Sequence, residues 1–417
     1  MVTLYPWQES GSARLAEILS SRDAALDASE TGTGKTYTAA AVAQKLNRPT
    51  LVITPKAGLT MWRGVAEAFS VPLLGVRNPE GLRSRTDPII RNKVWQVPAE
   101  TLVIWDEVHR GASGRGSQTT ELLAMLGVQH IKTLMLSATA ADNPLKMRGI
   151  GYLLGLHQFN ERSFYQWCRR YGCRAGFRGL VFPTGVRSQR YMGLIHKLIE
   201  SQMVRVRRDE IPGFPECDTR AELYDIEEKY RNEICEIYAE MDAQLTKSTA
   251  NPMVELIRAR QRAELLKVPL LTDLAEEYLE DGLSVVLFVN FRETLERLHE
   301  SLKQHGMSLI YGDQPDRDEQ IRRFQHNETF VCGAMTQAGG VLVSLHDVFN
   351  QRARIALLTP SFSASDMVQC LGRIHRAGGT KALQRFILIA GTVEERVKRA
   401  IDRKLTCLSA LNDGDLI

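Results

Sequence analysis

The run Ser29-Glu30-Thr31-Gly32-Thr33-Gly34-Lys35-Thr36, which follows the short stretch Ala24-Ala25-Leu26-Asp27-Ala28, is the part of the sequence best suited to chemistry. Its glycines let successive backbone N–H groups converge on phosphate oxygens, and a helix starting near Lys35 adds its positive dipole end. In that pattern Thr31, Gly32, Thr33 and Gly34 wrap the phosphates, Lys35 reaches the β and γ phosphates, and the Thr36 hydroxyl holds Mg²⁺. ATP with Mg²⁺ is therefore the expected cofactor pair. Ser29 stands where the pattern usually begins with glycine, and alone the run is also compatible with a solvated glycine-rich turn. A second element, Val103-Ile104-Trp105-Asp106-Glu107-Val108-His109, is an apolar strand ending in two carboxylates. Asp106 is suited to holding Mg²⁺ and Glu107 to orienting or deprotonating an attacking water. The two elements in this order, each at a strand end, point to nucleotide hydrolysis. Gln8, after Tyr5-Pro6-Trp7, has an amide that can pair with an adenine edge, although a lone glutamine is commonly a surface residue.

These groups need rigid elements to hold them. Short continuous apolar runs alternate with helix-length segments: 50–54, 101–105 and 133–137 in the first half, then 285–289, 330–332, 355–358 and 386–389 in the second. Such runs indicate buried parallel strands with helices on both faces, hence an α/β fold with two parallel-sheet domains in tandem. Between the halves the period changes. Leu223, Ile226, Tyr230, Ile234, Ile237 and Met241 step by three or four, which predicts one face of an amphipathic helix. More helix is expected over 252–267 and 270–279. The expected organisation is a nucleotide-binding domain over 1–215, an α-helical insert over 216–269 and a second domain over 270–417.

The chain has 417 residues, 44% of them hydrophobic and 24% charged, within the range of globular proteins. No apolar run is long enough to cross a membrane, and the N-terminus lacks the charged region and apolar stretch of a secretory leader. Seven cysteines without a Cys-x-x-Cys pair argue against a disulfide framework or structural zinc, and for a reducing, cytoplasmic setting. The formal charge of +4 conceals a polarised chain. From Arg162 to Arg208 there are eleven Lys or Arg and one acidic residue, Glu200; from Glu216 to Asp242 there are ten Asp or Glu and three basic residues. The basic segment invites a polyanionic partner. Within it Arg169, Arg170, Arg174 and Arg178 interleave with Phe164, Tyr165, Trp167, Tyr171 and Phe177. Arginines contact phosphates and rings stack on unpaired bases; alternatively the rings pack the end of the first domain and the arginines are merely solvated.

With Gln8, the phosphate loop, Asp106-Glu107-Val108-His109 and Ser137-Ala138-Thr139 in this order, the sequence resembles a superfamily 2 helicase. The second half adds Ala338-Gly339-Gly340 and Gln369-Cys370-Leu371-Gly372-Arg373-Ile374-His375-Arg376-Ala377-Gly378-Gly379, a block similar to motif VI of the Swi/Snf-type double-stranded DNA translocases. Thr54-Pro55 with Trp62, Asp142-Asn143-Pro144-Leu145 and Phe291-Arg292-Glu293-Thr294-Leu295 extend the resemblance over nearly the whole chain. Ser163 through Arg178 and Arg205 to Pro212 look closest to annealing helicases, whereas Gly340 to Asp347 and the tail Leu411 to Leu416 resemble compact, virus-encoded members. Two departures stand out. Ser137-Ala138-Thr139 replaces Thr-Gly-Thr or Ser-Gly-Thr, and Leu342-Val343-Ser344 replaces Gly-Leu-Asn.

The resemblance implies two RecA-like domains with ATP between them and Arg373 and Arg376 as arginine fingers from the second. It also implies Gly340 at the nucleotide, and His109, Ser137, Thr139 and Gln369 as residues coupling hydrolysis to movement. The implied activity is that of a monomeric DNA-dependent ATPase that translocates on or remodels double-stranded or branched DNA, by annealing or branch migration. Single-stranded DNA or protein partners are compatible with it. An RNA helicase is the rival enzyme, favoured by Ser137-Ala138-Thr139; a non-hydrolysing nucleic-acid-binding scaffold is the rival of another class.

Overall fold

In a computed structural model the described residues are 2–83, 87–110, 117–176, 179–183, 185–245, 251–312, 314–339, 343–361, 364–395 and 399. Gly340 and Arg178, both singled out above, lie outside them, as do Phe177 and the tail from 401. The chain divides into two compact units, one running to Pro212 and the other beginning at Gly213.

The first unit runs α1 (Pro6–Ser21), β1 (Ala24–Asp27), α2 (Lys35–Leu46), β2 (Thr50–Ile53), α3 (Leu59–Ala68), β3 (Leu73–Arg77) and the single turn α4 (Pro79–Leu82). There follow a small ladder of β4 (Ile90–Arg91) and β5 (Val94–Trp95), then β6 (Leu102–Asp106), α5 (Gln118–Val128), β7 (Lys132–Leu136), α6 (Arg148–Leu153) and α7 (Glu161–Arg170). A hairpin of β8 (Arg174–Gly176) and β9 (Gly179–Val181), then α8 (Val186–Ile199) and β10 (Met203–Val204), complete it. Six strands form one parallel sheet in the order β10-β1-β7-β6-β2-β3. Alternate residues of the same strand feed opposite layers: Val103 and Trp105 pack into one core, Leu102 and Ile104 into the other. A strand buried on both faces needs no polar alternation, which is why these strands read as uninterrupted apolar runs. The order also brings the carboxyl ends of β1, β7 and β6 side by side, where open α/β sheets bind ligands.

The second unit runs β11 (Cys217–Tyr224), α9 (Glu228–Leu245), α10 (Pro252–Leu265), α11 (Val268–Glu280), β12 (Ser284–Val289), α12 (Arg292–Ser301), β13 (Met307–Ile310), α13 (Arg317–Gln325) and β14 (Val331–Met335). The turn α14 (Thr336–Gly339), β15 (Arg354–Leu358), α15 (Ala364–Ile374) and β16 (Ala382–Ile389) follow. Its sheet is again six-stranded and parallel, in the order β11-β16-β15-β12-β14-β13. Val285, Leu287 and Val289 enter one layer, Val286 and Phe288 the other.

One expectation is corrected here. Leu223 was predicted on the apolar face of a helix but lies in β11, 53% exposed. Its spacing to Ile226 is fortuitous. The segment 217–224 instead pairs along its whole length with β16, and the helix begins only at Glu228. Within α9 the expected face holds: Ile234 and Ile237 are buried while Glu233, Glu236 and Glu240 are exposed.

Between α10 and α11, Lys267 is buried and paired with buried Glu394, beyond β16; its ammonium also donates to the Ile387 carbonyl at 3.4 Å. Glu394 in turn accepts from the Ile389 amide at 3.0 Å, so the pair anchors the helical segment to the end of β16. Removing one member of such a pair strands a buried charge and costs about 3–5 kcal/mol, whereas neutralising both removes that penalty. Lys267→Met should therefore accelerate hydrogen exchange of the β16 amides, and Lys267→Met with Glu394→Gln should bring it back close to the unaltered rate.

Candidate functional site

The phosphate loop leaves β1 at Asp27 and enters α2 at Lys35. Gly32 and Gly34 adopt φ of 87° and 88°, a region that β-carbons disfavour. Thr31 and Thr33 are buried in the loop, and the Thr33 hydroxyl donates to the Glu30 carbonyl at 2.9 Å. The Lys35 ammonium donates to the carbonyls of Ser29 (2.8 Å) and Glu30 (3.1 Å). Burial lowers its pKa, against the raising influence of Asp27, Glu107 and Asp106. Thr36, the second residue of α2, is half-buried.

Gln8 is placed against this loop. Its amide nitrogen donates to the Thr33 carbonyl at 3.2 Å and its oxygen accepts from the Tyr5 amide at 3.0 Å. Trp7 adds a second bond, Nε1 to the Thr33 carbonyl at 3.0 Å, and its ring stacks on Tyr5 with centroids 4.4 Å apart. The Gln8 amide, expected at an adenine edge, here bridges Tyr5 and the loop.

Two arginines that the sequence reading left without a role complete the loop. Backbone bonds from Ala28 to Val204 (2.8 Å) and from Glu30 to Val206 (3.0 Å) extend the β1–β10 pairing past the strand ends. There the Glu30 carboxylate accepts from the Arg208 amide (2.8 Å) and Nε (2.9 Å), with Arg205 at 3.5 Å. Burial alone would raise the Glu30 pKa, but Arg208 and Arg205 hold it below the usual carboxylate range. Opposite charges some 178 positions apart give no local signal; only the parallel pairing of β10 with β1 brings them together.

Asp106 ends β6. One carboxylate oxygen accepts from Trp62 Nε1 (2.8 Å) and Thr54 Oγ1 (3.1 Å), the other from the Glu107 amide (3.0 Å). Burial, reinforced by the Glu107 charge, pushes its pKa up to about 6 against the lowering effect of Trp62, Lys35 and Thr54. Glu107 takes φ of 48°, turning the chain sharply at the strand end. His109 Nδ1 lies 2.8 Å from Ser137 Oγ and 3.5 Å from a Glu107 carboxylate oxygen, and Ser137 Oγ also accepts from the Thr139 amide at 3.1 Å. Glu107, His109, Ser137 and Thr139 thus form one connected group across the ends of β6 and β7. Asp106 and Thr36 are hard oxygen donors of the kind that hold Mg²⁺ alongside substrate phosphates, so the donor set fits that ion. No cluster of three or more His, Cys, Asp or Glu suited to a resident metal occurs among the described residues.

In the second unit Arg373 and Arg376 both donate to the Val343 carbonyl, at 3.3 Å and 2.9 Å, and the Leu345 amide donates back to the Arg373 carbonyl at 2.9 Å. Gln369 is buried on α15. His375 Nε2 donates to the Pro215 carbonyl at 2.7 Å, with Phe214 packed edge-on against its ring. His346, whose Nδ1 lies 2.8 Å from Ser344 Oγ, has its pKa lowered to about 4 by burial and the charges of Arg376 and Arg354.

The basic segment of the first unit divides in two. Phe164 and Trp167 are buried in the core, with Tyr165 and Tyr171 packed against it, whereas Arg169, Arg170 and Arg174 are exposed.

Residues 267–378 match the family described as the helicase conserved C-terminal domain. Over 99% of its length the chain is 31% identical to a putative ATP-dependent RNA helicase L364 of Acanthamoeba polyphaga mimivirus, of which the alignment covers 84%. A further relative is Protein CHROMATIN REMODELING 24 of Arabidopsis thaliana, 27% identical over 139 residues, which are 32% of this chain and 12% of that protein.

Gly34 resists substitution on two counts. A β-carbon there would lie 2.1 Å from Gln8 Nε2 in a backbone conformation that alanine resists. Gly34→Ala should weaken binding of a fluorescent ATP analogue at least about tenfold. Adding Gln8→Ala should restore only part of that loss, because the clash is relieved while the strained φ remains.

Proposed function

The chain belongs to the superfamily 2 helicases and is an ATP-dependent nucleic-acid motor; on that premise we propose that its track is double-stranded DNA, along which it translocates or which it remodels. The observation that carries the catalytic half of this reading is the convergence of the phosphate loop, Asp106-Glu107 and the His109–Ser137 contact at the ends of three neighbouring strands. In it Lys35 would exchange the Ser29 and Glu30 carbonyls for the β and γ phosphates, and Thr36 with Asp106 would hold Mg²⁺, which would supply neutralisation of phosphate charge. Glu107 orients the attacking water and receives its proton. His109 carries the state of Glu107 to Ser137 and Thr139. Arg373 and Arg376 supply positive charge to the γ-phosphate in the transition state, a contribution of about 10³–10⁵ in rate for such arginines.

The preference for duplex DNA rests on the second unit's Gln369 to Gly379 block and is supported by the likeness to a chromatin-remodelling protein. An RNA track is the second reading, favoured by Ser137-Ala138-Thr139 and by the printed name of the viral relative. The two separate cleanly in one experiment. ATPase activity measured with duplex DNA, single-stranded DNA and RNA should rise most with duplex, and the chain should displace the third strand of a DNA triplex; stimulation by RNA alone, without triplex displacement, would overturn the DNA reading. Lys35→Ala and Arg373→Ala should each lose about 10³-fold or more in turnover while still binding DNA. Duplex-stimulated hydrolysis retained in both variants would sink the assignment of the site.

A further inference from the structure

A cavity of ≈ 810 Å³ opens on the first unit, bounded by α7, the turn that follows β7 and the β8–β9 hairpin. Its floor follows from the helical period. Trp167 and Cys168 turn one face of α7 into the core, with Phe164 buried beside them and also lining the cavity, which leaves Arg162, Tyr165, Gln166 and Arg169, spaced i, i+3, i+4 and i+7, on the cavity wall, Tyr165 among them also packed against the core. Lys146 and Arg148 line it as well, and among the described residues no carboxylate does. The Lys146 charge is met by Asp142 at 2.9 Å and Arg148 lies over the Phe159 ring at 5.1 Å. Among the described residues Arg162 and Arg169 have no ion-pair partner.

Seven helical residues separate these two arginines by about 10.5 Å along the axis. Three phosphate steps of a stacked strand cover about 10 Å. Between the two lies Tyr165, half-buried, with Leu180 of the hairpin also on the wall, so the cavity combines spaced cations with a ring on which a base can stack. A duplex hides its base faces; a single strand offers both phosphates and rings. We propose that this cavity binds a short stretch of single nucleic-acid strand, with its phosphodiesters on Arg162 and Arg169 and a base against Tyr165. The proposal rests on the reading of the chain as a nucleic-acid motor, and it divides the exposed cations of the basic segment: Arg170 and Arg174 do not line the cavity.

The test uses the full chain with three labelled probes of one sequence: 15-nucleotide single-stranded DNA, the same strand as RNA, and the DNA duplex. The Arg162→Gln/Arg169→Gln variant should lower the slope of log affinity against log salt by about 1.4 for single strands, two contacts at about 0.7 each, and leave the duplex slope unaltered. Arg170→Gln/Arg174→Gln should keep the slopes of the unaltered chain. Tyr165→Ala should weaken single-strand binding about tenfold and Tyr165→Phe should restore it, since stacking needs the ring and not the hydroxyl. The two single-strand probes distinguish the sources: a shared loss indicates recognition of phosphate and base face, and a loss confined to one of them assigns the cavity to that strand type. An unaltered single-strand slope, an equal loss in both arginine pairs, or a loss confined to the duplex would overturn the proposal. Melting temperatures equal to that of the unaltered chain exclude misfolding as the cause. Failure of the motor reading has a different signature, an ATPase of the unaltered chain that no nucleic acid stimulates.

Discussion

A carboxylate at the end of a strand buried on both faces is costly unless donors surround it, and Asp106 sets that demand for the first unit. Thr54 at the end of β2 and Trp62 on α3 meet it from one side, while the Glu107 amide meets it from the other by bending the chain through a positive φ. Each donor belongs to a different element. Satisfying one charge therefore fixes β2, α3 and β6 relative to one another at the edge where the phosphate loop emerges. The bend that supplies the Glu107 amide also sets the Glu107 carboxylate beside His109, and hence beside Ser137 on the neighbouring strand end. The contact of Glu107 and His109 with Ser137 thus follows from the same bend that supplies a donor to Asp106.

The phosphate loop is held by the same logic applied to backbone groups. Its Thr33 carbonyl takes Trp7 and Gln8 from α1, and its Glu30 side chain takes Arg205 and Arg208 from beyond β10. Elements from both ends of the first unit therefore close on eight residues. In the proposed reading such bracing keeps donors aimed while Lys35 exchanges its bonds to two carbonyls of the loop for phosphate. In the second unit one carbonyl does comparable work. Val343 accepts from both Arg373 and Arg376, tying the two arginines to the loop before β15.

How much of this could be read in advance follows from what each signal measures. Parallel strands with both faces buried must be apolar throughout, so Val103 to Trp105 and Val285 to Val289 announced themselves. The loop glycines and the Asp106-Glu107 pair were equally plain, since backbone conformation and chemistry both restrict those positions. Periodicity failed at Leu223, where a strand edge happened to share the helical step; eight paired residues with β16 outweighed a local pattern. The contacts of Gln8 with Tyr5 and Thr33 had no signal in the sequence, because a residue type says what can be bonded and not which groups lie near it. Glu30 with Arg205 and Arg208 was invisible for a different reason: the contact exists only once β10 lies beside β1.

That last case alters the meaning of the basic segment. Eleven cations against one acid look like a single electropositive surface, but a charge serves a partner only if the fold has not already used it. Arg205 and Arg208 are consumed by Glu30 at the phosphate loop. Arg162 and Arg169 share the polar face of α7, and Arg170 and Arg174, also exposed, do not line the cavity. The excess therefore separates into a group bonded to Glu30 of the loop over 29–36 and a group that, among the described residues, no ion pair meets. Electrostatic steering by the whole segment is weaker than its formal charge suggests, while among the described residues no carboxylate lines the cavity beside α7. In the proposed reading, the face of the first unit that meets a polyanion is set by helical spacing on α7 more than by the sum of charge.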